Sequence, residues 1–137
     1  MDLQTVSRRA GIGSAVATVL VLAAPYAFVS EPGYATQLAG YYASGVVGAA
    51  GIALFALVSA IVIGSVERGN LDPGTLAGIA VMLGAATTLS AATWAIAVEP
   101  TMMFAEHRWL VWHAPAVVAL SVPIPVAAAV YARELLT

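Results

Sequence analysis

Residues 43–66 read ASGVVGAAGIALFALVSAIVIGSV, and no charged side chain interrupts them. A helix needs about 20 mainly apolar residues to cross the hydrocarbon core of a bilayer, and this stretch has that length. Tyr41 and Tyr42 precede it and Glu67 and Arg68 follow it, so polar side chains bound it at both ends. The stretch predicts a transmembrane helix, the clearest one in the chain.

Three more apolar stretches flank this one. Together they give four predicted spans, at about residues 10–29, 43–66, 74–98 and 111–132. Asp72 and Pro73 precede the third span, where they suit the N-cap and the first helical position. The loops between spans are too short for a soluble domain. The chain therefore predicts a single all-α domain, 1–137, an integral membrane four-helix bundle.

The composition excludes several classes of protein. Of the 137 residues, 61% are hydrophobic and 9% are charged, whereas soluble domains carry roughly 25% charged residues. This excludes an ordinary soluble domain and a disordered chain. Five arginines and no lysine are too few for a nucleic-acid surface, so no nucleic-acid partner is expected. Without cysteine, the chain forms no disulfide, thiolate zinc site or iron–sulfur cluster.

The first span has an alternative interpretation. Residues 7–12, SRRAGI, resemble the start of a twin-arginine export signal. Residues 24–30 do not supply a small-x-small cleavage site in register, and the apolar core is longer than the roughly 7 to 15 residues of a signal peptide. We therefore favour an uncleaved span, in which Pro25 removes one backbone hydrogen bond near the end.

The arginines predict the topology. Arg8, Arg9, Arg68 and Arg133 fall on one side of the four spans, and Arg108 falls on the other. Cytoplasmic loops carry an excess of basic residues, so both termini are predicted to be cytoplasmic.

Small side chains recur at four-residue intervals in the second and third spans. Such stripes let helix backbones approach closely, so we expect the two spans to pack as an antiparallel pair through them. The stripes also offer a surface for assembly with a second copy or with a larger membrane complex. Their residues are Ser44, Gly48, Ala56, Ala60 and Gly64, and Ala80, Gly84, Thr88 and Ala92.

The last span contains Pro123 and Pro125 at mid-depth. They leave the carbonyls of Ala119 and Ser121 without their usual donors, which predicts a proline kink. A neighbouring helix, Ser121 or water must compensate, because an unsatisfied carbonyl is costly in lipid. Transporters use such freed carbonyls to bind cations, so a functional break is the alternative.

Charged and aromatic residues gather at the predicted outer face. Residues 101–113, TMMFAEHRWLVWH, resemble an interfacial segment that lies in the membrane plane. A cluster of possible ligands forms if the two outer loops meet, from Glu31, Tyr34, Tyr41, Tyr42, Glu99, Glu106, His107, Arg108 and His113.

The two histidines of this cluster are the weak candidates for a haem or metal ligand. His107 and His113 are separated by about 600 degrees of helix rotation, so they point in different directions if one helix carries both. No cofactor and no metal site are therefore expected. No catalytic residue is predicted either, because the spans carry no paired acids and no nucleophile with a base.

Two segments carry a family resemblance. Leu22–Gly33, LAAPYAFVSEPG, and Tyr41–Ser65, YYASGVVGAAGIALFALVSAIVIGS, resemble small uncharacterised four-span membrane proteins of halophilic archaea. The resemblance implies four spans and a salt-rich habitat, and it implies no activity and no functional residue.

These observations favour a non-catalytic protein of a prokaryotic plasma membrane, an accessory or scaffold subunit that assembles through its Gly/Ala helix faces. Its partners would be the lipid bilayer and further copies of itself or a larger membrane complex. A small carrier or channel component is the alternative, and a haem- or metal-binding electron-transfer subunit is the weaker one. The lack of Asp, Glu, Lys and Arg within the spans argues against active transport.

Overall fold

The computed structural model describes residues 2–28, 35–45, 47–69, 71–98 and 112–136, which are helical apart from short connections. The predicted interfacial segment lies mostly outside these residues. The helices are α1 (Leu3–Phe28), α2 (Ala35–Ala43), α3 (Gly48–Ser65), α4 (Pro73–Ala97), α5 (His113–Ser121) and α6 (Pro123–Leu136), with a 3₁₀ turn at Val66–Arg68.

Within the described ranges, four segments are long and apolar enough to cross a membrane. They are Leu3–Pro25, Gly48–Ser65, Pro73–Ala97 and His113–Leu136, the last comprising α5 and α6. The first helix begins ahead of the apolar stretch that predicted it. The second begins later than residue 43, because Gly45 and Gly48 adopt left-handed backbone conformations, with φ of 83° and 70°.

The start of α4 follows its sequence signals. Asp72 is the N-cap, and its carboxylate accepts hydrogen bonds from the backbone N–H of Thr75 at 2.9 Å and from its hydroxyl at 3.0 Å. Pro73 is the first residue of the helix. The predicted cap is confirmed.

The helices pack in the order α1, α3, α4 and α5–α6 around the bundle, and α5–α6 packs back on α1. Arg8, Val66, Leu76 and Tyr131 line one small cavity of about 10 Å³, so the four spans meet there. We call this the arginine end. The opposite end, formed by Leu22, Tyr41, Trp94 and Ala114 in one apolar cluster, is called the His113 end.

The small-residue stripes do not form the single seam that the sequence suggests. The second and third spans, α3 and α4, are indeed neighbours. However, a Cβ added to Gly84 would lie 2.7 Å from the backbone nitrogen of Pro125, so Gly84 faces the last span. Ala56 packs with Ala15 of α1 and Ile124 of α6.

Other members of the stripes have different surroundings. Ala80 packs with Ile63 and Ala128, so it joins α3, α4 and α6. Gly48 is the first residue of α3, where a Cβ would lie 2.9 Å from the carbonyl oxygen of Tyr42. Ser44 lies outside the helices and donates to the carbonyl of Gly40. The stripes therefore serve several contacts within the bundle.

The last span is divided at Val122, between α5 and α6. Two hydroxyls from neighbouring helices donate to carbonyls there. Thr88 of α4 donates to the carbonyl of Ser121 at 3.2 Å, and Ser14 of α1 donates to the carbonyl of Leu120. The carbonyl that Pro125 deprives of its donor is thus satisfied by a neighbouring helix. The kink itself stays a prediction.

Candidate functional site at the His113 end

Four elements contribute to a buried polar cluster at the His113 end. His113 begins α5, Tyr41 lies near the end of α2, Trp94 lies in the last part of α4, and α1 presents the carbonyl of Val21. Tyr41 and Trp94 are fully buried, and His113 is 4% exposed. The cluster is therefore a buried polar site within the apolar interior.

His113 uses both ring nitrogens in hydrogen bonds within the chain. Its Nε2 lies 2.6 Å from the carbonyl oxygen of Val21, and its Nδ1 lies 2.7 Å from the hydroxyl of Tyr41. A carbonyl only accepts, so Nε2 carries the proton. In the neutral imidazole, Nδ1 is then an acceptor, and Tyr41 donates to it.

Pro25 explains why Val21 accepts from a side chain. In a regular α-helix the carbonyl of Val21 would accept from the backbone N–H four residues later, but Pro25 has none. The Nε2–H of His113 takes that place. The carbonyl of Val21, in the apolar interior, thereby accepts a hydrogen bond from a residue 92 positions away in the sequence.

Trp94 and the two tyrosines complete the cluster. The indole N–H of Trp94 donates to the carbonyl of Tyr41 at 2.8 Å, and the two rings meet edge to face at 5.1 Å between centroids. The hydroxyl of Tyr42 donates to the carbonyl of Leu22 at 2.9 Å. Burial, with Tyr42 beside it, raises the pKa of Tyr41, so this phenol keeps the proton that it donates.

Gly45 lets the chain pass closely over Trp94. A Cβ at Gly45 would lie 2.9 Å from the Cα of Trp94, and the positive φ of Gly45 also disfavours any other residue. The chain leaving α2 is thus held against α4.

An open apolar groove of about 270 Å³ lies beside the cluster, between α1 and α3. Tyr42 forms part of its wall. The other lining residues are Val19, Leu22, Ala23, Ala49, Ala50 and Ala53.

The structure brings together three residues of the outer cluster suggested by the sequence, namely Tyr41, Tyr42 and His113. The remaining members lie outside the described residues: Glu31, Tyr34, Glu99, Glu106, His107 and Arg108. Among the residues that the structure describes, no three His, Asp or Glu side chains are grouped to hold a metal ion. Ligation by His113 would require one of its two hydrogen bonds to break.

Sequence reasoning missed Val21 and Trp94. Pro25 was the available signal for Val21, because a proline within a span leaves a carbonyl that needs a donor. Trp94 carried a weaker signal, since an indole in a span needs an acceptor for its N–H. Neither signal indicates which residue is the hydrogen-bond partner.

Comparison with curated proteins and with solved structures found no match. A family model matches residues 1–136, nearly the whole chain. The chain, whose described part is helical and includes four helices long and apolar enough to cross a membrane, therefore belongs to DUF7548, a family of unknown function.

Proposed function

We propose that this protein is a non-catalytic subunit of a membrane assembly, an accessory or scaffold protein that packs through small-residue helix faces. It spans the bilayer four times and associates with further copies of itself or with a larger membrane complex. The bundle uses part of its small-residue surface internally, so assembly depends on the small residues that remain on the outside.

One observation carries this proposal: the outer face of α4 leaves its backbone uncovered at Gly78. Gly74 and Gly78 are exposed and four residues apart, and a Cβ added to Gly78 would meet no atom within 4 Å. Met82, 74% exposed, continues the same face. In lipid, two small residues at this spacing allow another helix to approach closely.

The test compares two glycines of α4. Gly78→Leu adds bulk to the outer face and should leave the bundle folded while it lowers the fraction of the protein in the assembly. Native mass spectrometry of protein purified gently from its own membranes measures that fraction together with companion proteins and any cofactor.

Gly84→Leu is the contrasting variant, because its side chain would collide with the backbone of Pro125. We expect it to destabilise the bundle itself by about 1 to 3 kcal/mol, as overpacked cores do. An assembly of normal mass and yield after Gly78→Leu would contradict the proposal.

The carrier alternative rested on carbonyls freed by the prolines of the last span. The carbonyl of Ser121 accepts from Thr88, which leaves it less available to a cation. The electron-transfer alternative needed a free histidine, and both nitrogens of His113 are hydrogen-bonded. Flux in liposomes would support the carrier alternative. A coloured, metal-containing preparation would support the electron-transfer alternative.

We further propose that both termini face the cytoplasm and that the protein resides in a prokaryotic plasma membrane. The support is the position of Arg8, Arg68 and Arg133 at or next to the span ends that form the arginine end. We also propose that the last span is kinked at its prolines. A measurement of the helix-axis directions on either side of Val122 by electron paramagnetic resonance would test the kink.

A halophilic archaeal source is a separate proposal. Its support is the resemblance of two segments and the excess of seven acidic over five basic residues. We expect the purified protein to keep its fold in molar salt. Unfolding or precipitation there, with a stable fold in dilute buffer, would contradict it.

A further inference from the structure

The carbonyl of Ala119, on the outer side of the α5–α6 junction, lacks a hydrogen-bond donor. Pro123, four residues later, has no N–H to offer it. The backbone hydrogen bonds made at the junction end on the carbonyls of Val118 and Val122 instead. Among the residues that the structure describes, no side chain donates to Ala119 either. Ala119 and Pro123 are both exposed, so this acceptor belongs to the outside of the bundle.

The hydroxyl of Ser90, in α4, is a donor without an acceptor. The neighbouring hydroxyls of α4 all bond to carbonyls: Thr87 to Leu83 at 2.7 Å, Thr88 to Ser121 at 3.2 Å and Thr93 to Ser90 at 2.9 Å. In the described part of the chain, the Ser90 hydroxyl itself makes no such bond, although Ser90 is half-buried. A hydroxyl left unbonded in hydrocarbon is unfavourable.

Ser90 and Ala119 lie at the same level of the bundle but face different directions. The bond between Thr88 and Ser121 fixes a common level for α4 and α5. From there, Ser90 is two residues along α4 and Ala119 is two residues back along α5, so each lies about 3 Å closer to the His113 end. Two residues also turn a helix by about 200 degrees, so Ser90 points away from the α5–α6 segment that Thr88 contacts. The two groups match in depth between two copies that cross the membrane in the same direction.

We propose that copies of this chain assemble side by side, with the Ser90 hydroxyl of one copy donating to the Ala119 carbonyl of the next. One contact then satisfies an acceptor and a donor that are both costly to leave unbonded in lipid. The inference rests on the assembly proposed above, because Ser90 continues the four-residue row of α4 that includes Gly78 and Met82. It names the partner as a second copy, and the surface that meets this row as the outer side of α5–α6.

The contact joins two different surfaces, so each copy still offers one donor and one acceptor to further copies. Head-to-tail contacts of this kind generate rings when the rotation between copies closes. Because both groups lie at one level, the rotation axis is the membrane normal. We therefore expect a closed ring of identical subunits.

Cysteine cross-linking tests the contact directly, because the chain has no cysteine of its own. A hydrogen bond between Ser90 and Ala119 brings their Cα atoms within the roughly 7 Å over which a disulfide forms. The full-length Ser90→Cys and Ala119→Cys proteins, mixed in one lipid bilayer and oxidised, should form a linked pair, and neither variant should link to itself. Val126→Cys is the matched control. Val126 is 54% exposed on the same side of the last span, about 10 Å from the level of Ala119, so it should not link to Ser90→Cys.

The hydrogen bond itself is tested by removing each partner in turn. Ser90→Ala removes the donor, and Pro123→Ala gives the Ala119 carbonyl a backbone N–H within its own helix. Each change should weaken the association of copies by about three- to tenfold, the equivalent of one hydrogen bond, and the two together no more than either alone. Energy transfer between labelled full-length copies, diluted stepwise in liposomes, measures the association. Thr93→Val is the control and should leave it unchanged, because Thr93 bonds within its own helix.

The outcomes separate this contact from the broader role as a subunit. An assembly that weakens in Gly78→Leu but gives no link between Ser90→Cys and Ala119→Cys would overturn the contact and leave the subunit role standing. Linking of Ser90→Cys to itself would also overturn it, because that result indicates a symmetric contact between two α4 helices. A parent protein that stays monomeric and has no companion would contradict both proposals.

Discussion

Pro25 and Pro125 each remove a backbone donor inside a potential span, and in both cases a side chain from another helix supplies a replacement hydrogen bond. Pro25 leaves the carbonyl of Val21, which accepts from His113. Pro125 leaves the carbonyl of Ser121, which accepts from Thr88. No water is available in the hydrocarbon core to hydrogen-bond these carbonyls. The two prolines therefore account for the presence of His113 and Thr88 without any ligand.

A double-mutant cycle tests the first of these pairs. His113→Phe keeps an aromatic ring but removes the hydrogen bonds that His113 makes with the Val21 carbonyl and the Tyr41 hydroxyl, so we expect the free energy of unfolding to fall by about 2 to 4 kcal/mol. In a Pro25→Ala background the backbone N–H returns to Val21. The loss caused by His113→Phe should then shrink by about 1 kcal/mol.

Equilibrium unfolding in mild detergent with a denaturing detergent titrant measures these differences. Thr93→Val is a suitable control, because Thr93 is exposed and bonds to Ser90 within its own helix. Equal losses from His113→Phe in both backgrounds would mean that Pro25 and His113 do not act as a pair.

At the scale of elements, the last span shows how a helix interruption is accommodated. The α5–α6 junction lies against Gly84 of α4, whose missing side chain makes room for the backbone of Pro125. Thr88, one turn further along α4, bonds to the junction. A glycine and a threonine four residues apart thus match the shape and the hydrogen bonding of one break.

This match predicts a measurable cost for Thr88→Val, which preserves side-chain volume and removes the hydroxyl. Hydrogen bonds between membrane helices contribute about 0.6 kcal/mol on average, so we expect a loss of about 0.5 to 2 kcal/mol of unfolding free energy. Pro125→Ala restores the backbone donor to Ser121 and should cancel most of that loss. The same unfolding titration applies, and an undiminished loss in the Pro125→Ala background would refute the explanation.

At the scale of the whole molecule, the four potential spans run alternately between the arginine end and the His113 end. Among the residues that the structure describes, Arg8 and Arg133 therefore lie toward one end of the bundle, and the cluster of Tyr41, Trp94 and His113 lies at the other. This segregation, combined with the excess of basic residues in cytoplasmic loops, is what orients a multi-span protein.

The absence of cysteine makes the orientation simple to measure, because any introduced thiol is the sole one. The side chain of Leu136 is 89% exposed, so Leu136→Cys reports on the arginine end. The side chain of Trp112 is 74% exposed, so Trp112→Cys reports on the His113 end. In intact cells, a membrane-impermeant maleimide should label Trp112→Cys and spare Leu136→Cys. After lysis both should react, and the reverse labelling pattern would invert the proposed topology.

The sequence alone determined the features that depend on neighbouring residues. Hydropathy indicated four apolar stretches, and four helices of the described residues are long and apolar enough to cross a membrane. Asp72 and Pro73 marked the start of α4, and the prolines marked where a carbonyl would lack its donor. Only the tertiary structure decided which groups met. Tyr41 and His113 are 72 positions apart, and the rotation of each helix selects their contact, as it directs Gly84 toward the last span instead of α3. Local pattern specifies that a helix forms and crosses, whereas partner choice depends on the packing of all four helices at once.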